Sequence, residues 1–202
     1  MALNNYSDLI SAVANELHRS DLDSVIPDKI TLAEVRINGD LDARLQDTKT
    51  TLTCVANQDY VTAPTDMIGI RHLSVQVTPV VTLDYVTPDQ FETSFPWGST
   101  GIPQVFTIIG SKIYLAPIPD SAYVLTTVYK AKVPSLETNT TTWLMTNYPN
   151  VYFFATLLEM SPYIKDDARI PMWMEAYSRA IESVNKQDWY SGSMMRIRTD
   201  VR

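Results

Sequence analysis

The sequence predicts an α+β protein: a helical bundle built from both chain ends, a small inserted antiparallel β domain (sandwich or barrel-like), and an extended C-terminal arm. Three observations predict it. Apolar residues recur with helical spacing before residue 47 and again after residue 136. Between them, threonine-rich and β-branched runs alternate with turn signals, and eight of the 12 prolines fall between Pro64 and Pro134. After residue 187, a Ser-Gly-Ser break leads into a short stretch of period two. The expected divisions are 1–47 and 136–187 for the helical domain, 48–135 for the β domain and 188–202 for the arm.

In chain order, Ser7 is placed to cap a first helix whose residues Leu9, Ile10, Val13, Ala14 and Leu17 share one face. Residues 21–24 read as a turn. A second helix carries Pro27 in its first turn, where a missing N–H costs little. Its stripe is Ile30, Ala33, Ile37, Leu41 and Leu45. Gly39 inside it costs about 1 kcal/mol against alanine and marks close packing or a weak spot.

The run from Thr48 to Val55 begins the β texture. Residues 105–115 form the clearest unit, a hairpin turning on Gly110-Ser111, which suits a two-residue turn with positive φ at its first position. Residues 125–133 are a further strand, with Lys130 and Lys132 opposite Tyr129, Ala131 and Val133. Thr87-Pro88-Asp89-Gln90 starts one helical turn within the sheet. Residues 151–160 are apolar nearly all round and read as a buried helix. A last helix is expected from about Asp166-Asp167, with Ile170, Trp173, Tyr177, Ile181 and Val184 inward. Glu175–Arg179 and Glu182–Lys186 are favourable i,i+4 pairs on another face.

Composition excludes several classes. At 202 residues and 45% hydrophobic, the chain has enough apolar surface for a packed core. Cys54 is the single cysteine, so no internal disulfide or thiolate cage can form, and a reducing compartment is the default. No apolar run approaches the roughly 18 residues a membrane helix needs, and MALNNYSDLI has no export-signal pattern. Net charge is −7, which makes the chain a poor phosphate-backbone binder. Residues 1–47 hold four basic and nine acidic groups, whereas residues 188–202 hold three and two, so only the C-terminus is basic.

Catalytic constellations are not visible. His18 and His72 lack metal-ligand spacing and read as surface or structural, and Cys54 reads as a buried inert thiol. Gly98-Ser99-Thr100-Gly101 lacks the lysine and helix of a phosphate loop. Asp21/Asp23 and Asp166/Asp167 read as helix caps, since no oxygen-ligand loop surrounds them. The expectation is no enzyme, no cofactor and no metal. Trp97, in the Phe95-Pro96-Trp97-Gly98 loop, reads as an anchor packed on the sheet, with a contact loop as the alternative, and Trp143 and Trp173 read as core.

The C-terminal segment is the strongest functional signal. Met195 and Ile197 alternate with Arg196 and Arg198, a strand pattern with no sheet of its own. Two readings stand: a frayed terminus, or an arm that adds a strand to a partner's sheet.

Beyond these patterns, residues 26–38 (IPDKITLAEVRIN), 60–67 (YVTAPTDM), 83–88 (LDYVTP) and 114–120 (YLAPIPD) resemble tailed-phage head-to-tail adaptor proteins. So do Trp143-Leu144, Tyr148-Pro149, Lys165-Asp166-Asp167 and Tyr190-Ser191-Gly192-Ser193, in the family's order over nearly the whole chain. Gly39 departs from the larger residue expected in that helix.

The resemblance implies a virion protein at the head–tail interface, made in the bacterial cytoplasm and comparable to tail tubular proteins. It implies a homo-oligomeric ring, usually dodecameric, between the portal protein and the tail or nozzle proteins, through which genomic DNA passes without specific binding. It places Tyr190, Met194, Met195, Arg196, Ile197, Arg198 and Arg202 in a portal-contacting arm. The alternative is a carbohydrate- or protein-binding β module of a virion fibre.

Overall fold

The computed structural model describes residues 3–94, 98–164 and 168–187. In chain order the elements are α1 (Tyr6–Leu17), α2 (Ile26–Asp40), β1 (Asp47–Thr53), β2 (Tyr60–Thr62), β3 (Met67–Val75), β4 (Val81–Thr82) and β5 (Asp84–Tyr85). Then come α3 (Pro88–Ser94), β6 (Thr100–Gly101), β7 (Val105–Ile109), β8 (Lys112–Ala116), β9 (Ile118–Pro119), β10 (Val124–Ala131), α4 (Trp143–Asn147), α5 (Pro149–Ile164) and α6 (Ile170–Gln187). The class is α+β, as the two periodicities predict. The chain divides into two compact units: Met1–Ala43 with Val133–Arg202, and Arg44–Lys132.

In the first unit α5 is the central element and packs against α1, α2, α4 and α6. Its nearly unbroken apolar sequence follows from that position, because a helix flanked on several sides has few faces left for water. Tyr152, Ala155, Leu157 and Met160 are among its buried residues. Helix α6 contributes Trp173, Tyr177, Ile181 and Val184 to the same core, with Ile170 partly buried at its start. The Glu175–Arg179 and Glu182–Lys186 pairs form on its exposed side.

Several expected boundaries shift. Helix α1 is capped by Asn5, not Ser7: Asp8 donates its N–H to Asn5 Oδ1 at 2.9 Å, and Ser7 lies within the first turn. The expected turn at 21–24 overlaps a short 3-10 helix, Ser20–Leu22. Helix α2 stops at Asp40, because Leu41 turns to extended backbone while donating to Ile37 O. Leu41 remains buried, but Leu45 falls in a 3-10 turn (Arg44–Gln46) of the other unit and is exposed. A Cβ on Gly39 would meet nothing within 4 Å, so close packing does not account for that glycine. Helix α6 starts at Ile170; Asp166-Asp167 lie outside the described residues.

Long-range polar bonds fasten the returning chain to α2. The Val133 N–H donates to Asn38 Oδ1 at 2.7 Å, and the Leu136 N–H donates to Glu34 Oε1 at 2.7 Å. Glu34 is a buried carboxylate, so this bond offsets part of its desolvation. Thr142 then caps α4, accepting from the Met145 N–H at 3.1 Å.

In the second unit, sheet order is β1-β10-β3-β4 in one sheet and β2-β8-β7-β5 in the other, with β6-β9 as a separate pair. A core of Leu73, Val75, Phe106, Ile113, Leu115 and Leu125, joined by Cys54, draws on both four-stranded sheets. Most pairings are antiparallel, whereas β5–β7 and β6–β9 are parallel. The expected hairpin is present: Ile109 opposes Lys112 across Gly110-Ser111, and Gly110 has φ 62°. Tyr129 and Ala131 of β10 are buried, while Val133 belongs to the helical core. Helix α3 buries Phe91, whose N–H donates to Thr87 O at 2.9 Å.

Candidate interaction surfaces

The histidines and the cysteine singled out in the sequence fall in different parts of the fold. His18 closes α1 in the left-handed region (φ 54°), exposed, with Nδ1 3.2 Å from Glu16 O. His72 is exposed on β3. Cys54 is buried, and desolvation pushes its thiol up to about 11. Asp21 forms an ion pair with Arg19 at 2.6 Å, which holds its carboxyl below the usual range. Among the described residues no cluster of three or more His, Cys, Asp or Glu could hold a metal ion. No described helix is long and apolar enough to cross a membrane. Trp173 is core and Trp143 packs partly buried against it. Trp97 lies outside the described residues, as do Tyr190, Met194, Met195, Arg196, Ile197, Arg198 and Arg202 of the expected arm.

Three surface features are built by the described residues. The first is the outer line of α2. Its buried residues Ile26, Ile30, Ala33 and Ile37 define one side. At 100° per residue, Asp28, Leu32, Val35 and Gly39 lie directly opposite. Leu32 is 47% and Val35 69% exposed, so two large apolar side chains stand in water midway along this helix. Helical periodicity located the inward line and passed over the outward one.

The second is a groove of about 610 Å³ where the end of α2 meets α6. Its floor is Tyr177 and Ile181, and Asp40, Glu182, Asn185 and Lys186 surround them. The Tyr177 hydroxyl donates to Asp40 Oδ2 at 2.8 Å, and Asn185 bridges the helix exit by donating to Asp40 O and accepting from the Asp42 N–H. Lys186 is taken up by Glu182 at 2.5 Å.

The third is a groove of about 420 Å³ between β1 and β2, the end strands of the two four-stranded sheets. In an antiparallel ladder, alternate residues direct their backbone groups to alternate sides. The Cys54 N–H donates to Tyr123 O at 2.8 Å, so Leu52, Thr50 and Thr48 face β10, and Thr53, Thr51 and Lys49 turn outward. On β2, Leu115 donates to Asp59 O and Ala63 to Ser111 O, which leaves Tyr60 and Thr62 turned outward. Among the described residues, two strand edges therefore open on one groove. Composition had marked 48–55 as strand, but nothing in one sequence tells an end strand from a central one.

No curated protein sequence matches the chain. The family model described as SU10 adaptor protein matches residues 4–198, nearly the whole chain. That match covers more than half of the sequence, and the chain belongs to the SU10 adaptor protein family, a family of phage head-to-tail adaptors.

Proposed function

We propose that the protein is a structural component of the virion, a ring subunit that joins the portal to the tail. The match to the adaptor family over residues 4–198 carries this reading. A ring needs two different contact faces on each subunit, and the outer line of α2 with Leu32 and Val35 supplies one apolar candidate. The arm, Tyr190 to Arg202, extends onto the portal as an added strand. Met195 and Ile197 fill apolar pockets there, and Arg196 and Arg198 meet acidic groups. The excess of acid in residues 1–47 suits a wall past which DNA slides, since negative surfaces repel phosphate.

The test is removal of residues 190–202. The truncated chain is expected to fold, because the cores of both units lie within the described residues, yet to fail to co-sediment with purified portal. Portal joining by the truncated chain at wild-type strength would refute the arm. Tight DNA binding by the assembled ring at physiological salt would refute the repelling wall.

A further inference from the structure

We infer that the groove between β1 and β2 receives the C-terminal segment of a second copy of this chain as an added strand. The pairing of two copies goes beyond the adaptor reading and does not need it; only the competition with the portal rests on that reading.

The acceptor is physical. An end strand offers a row of N–H and C=O groups that pair with any extended chain unless proline, a bulge or a covering element blocks it. β1 is seven residues long with no proline, and its register with β10 runs unbroken from Asp47 to Thr53. The register shifts in that sheet fall between β10 and β3. Thr51 and Thr53 of β1 and Tyr60 and Thr62 of β2 turn their backbone groups towards one groove, and Leu52, Val55 and Val61 give it apolar surface. None of its lining residues is charged.

The donor is in the same sequence. Fifteen residues follow α6, from Asp188 to Arg202, enough to reach about 50 Å when extended. Residues 194–200 equal β1 in length and alternate in polarity: Met195 and Ile197 on one side, Arg196 and Arg198 on the other. The groove has no charged lining residue, and Leu52, Val55 and Val61 among its mostly polar lining give Met195 and Ile197 an apolar contact while the arginines stay in water. Every copy thus carries one strand to give and one edge to receive it, and such head-to-tail pairing links copies in series. One segment cannot fill two edges, so the portal and a second copy compete for it. Pairing between copies then covers both the open edge and the apolar segment until the portal arrives.

The test is sedimentation velocity of the full chain, without portal, over a range of concentrations. The expected result is concentration-dependent self-association. Thr51→Pro removes an outward N–H and blocks the edge while leaving the bonds to β10 in place. It should weaken self-association by about tenfold, as the loss of one strand hydrogen bond and the bulk of the proline ring on the edge imply. Thr51→Val keeps the N–H and should associate as the wild type does. Deleting residues 190–202, which touches neither core, should weaken self-association as Thr51→Pro does. A chain that stays monomeric throughout overturns the proposal. So does a Thr51→Pro chain that self-associates normally, including one that instead loses a tail protein. Thr51→Pro should still join the portal, so failure of the edge and failure of the arm are read separately.

Discussion

Tyr177 of α6 donates its hydroxyl to Asp40 at the last residue of α2, 2.8 Å away, and so ties two helices at the point where the chain leaves the helical unit. Burial, and then the Asp40 carboxylate, push the phenol well above its ordinary value, which keeps the donor protonated. Tyr177→Phe should cost about 1 kcal/mol in urea unfolding with an unchanged slope, since Asp40 stays in contact with water. A group whose pKa is raised by folding stabilises fully below its unfolded value and loses that contribution above it. The wild type should therefore lose stability above about pH 10, a loss smaller in the phenylalanine variant.

Alanine at two glycines should act in opposite directions. Gly39 is helical, exposed and open around its missing Cβ, so Gly39→Ala should stabilise by up to about 1 kcal/mol. Gly110 sits at φ 62° in the hairpin turn, so Gly110→Ala should destabilise by about 1 kcal/mol. Thermal midpoints of the two variants moving the same way would contradict this.

Cys54 is buried among strands, and its thiol is pushed up to about 11 from an ordinary 9.0. At pH 8 an aromatic disulfide reagent should leave the native thiol unmodified and react fully once the chain is unfolded. Because the folded state holds the proton more tightly, this group lowers stability as pH rises from about 9 to about 11. Cys54→Ser should abolish that part of the pH profile.

Glu34→Ala should be more damaging than a surface change, by about 2 kcal/mol, because it leaves the buried Leu136 N–H without its acceptor. Glu34→Gln keeps an oxygen in place and should recover much of the loss. Denaturant titration of the two variants distinguishes the bond from mere packing.

These residues also show what a single sequence discloses. The inward stripes of α1 and α6 and the Gly110 hairpin were legible, because each depends on residues a few positions apart. Local rules misplaced the edges of elements. Asn5 and Ser7 are both good caps, and the chain uses Asn5. The α2 stripe appeared to run on to Leu45, but the helix ends at Asp40, where Tyr177 and Asn185, more than 130 residues away, hold it. Nothing local marks Glu34 and Asn38 as anchors, because their partners lie 102 and 95 positions along the chain. The parallel pairings β5–β7 and β6–β9 were hidden for the same reason. The open β1–β2 groove is a property of strand order, which no local pattern encodes.

Glu34 and Asn38 hold the returning chain on the very helix whose last residue releases it towards the strands. Departure and return thus share one anchorage, and the helical core need not know what lies in the loop they close.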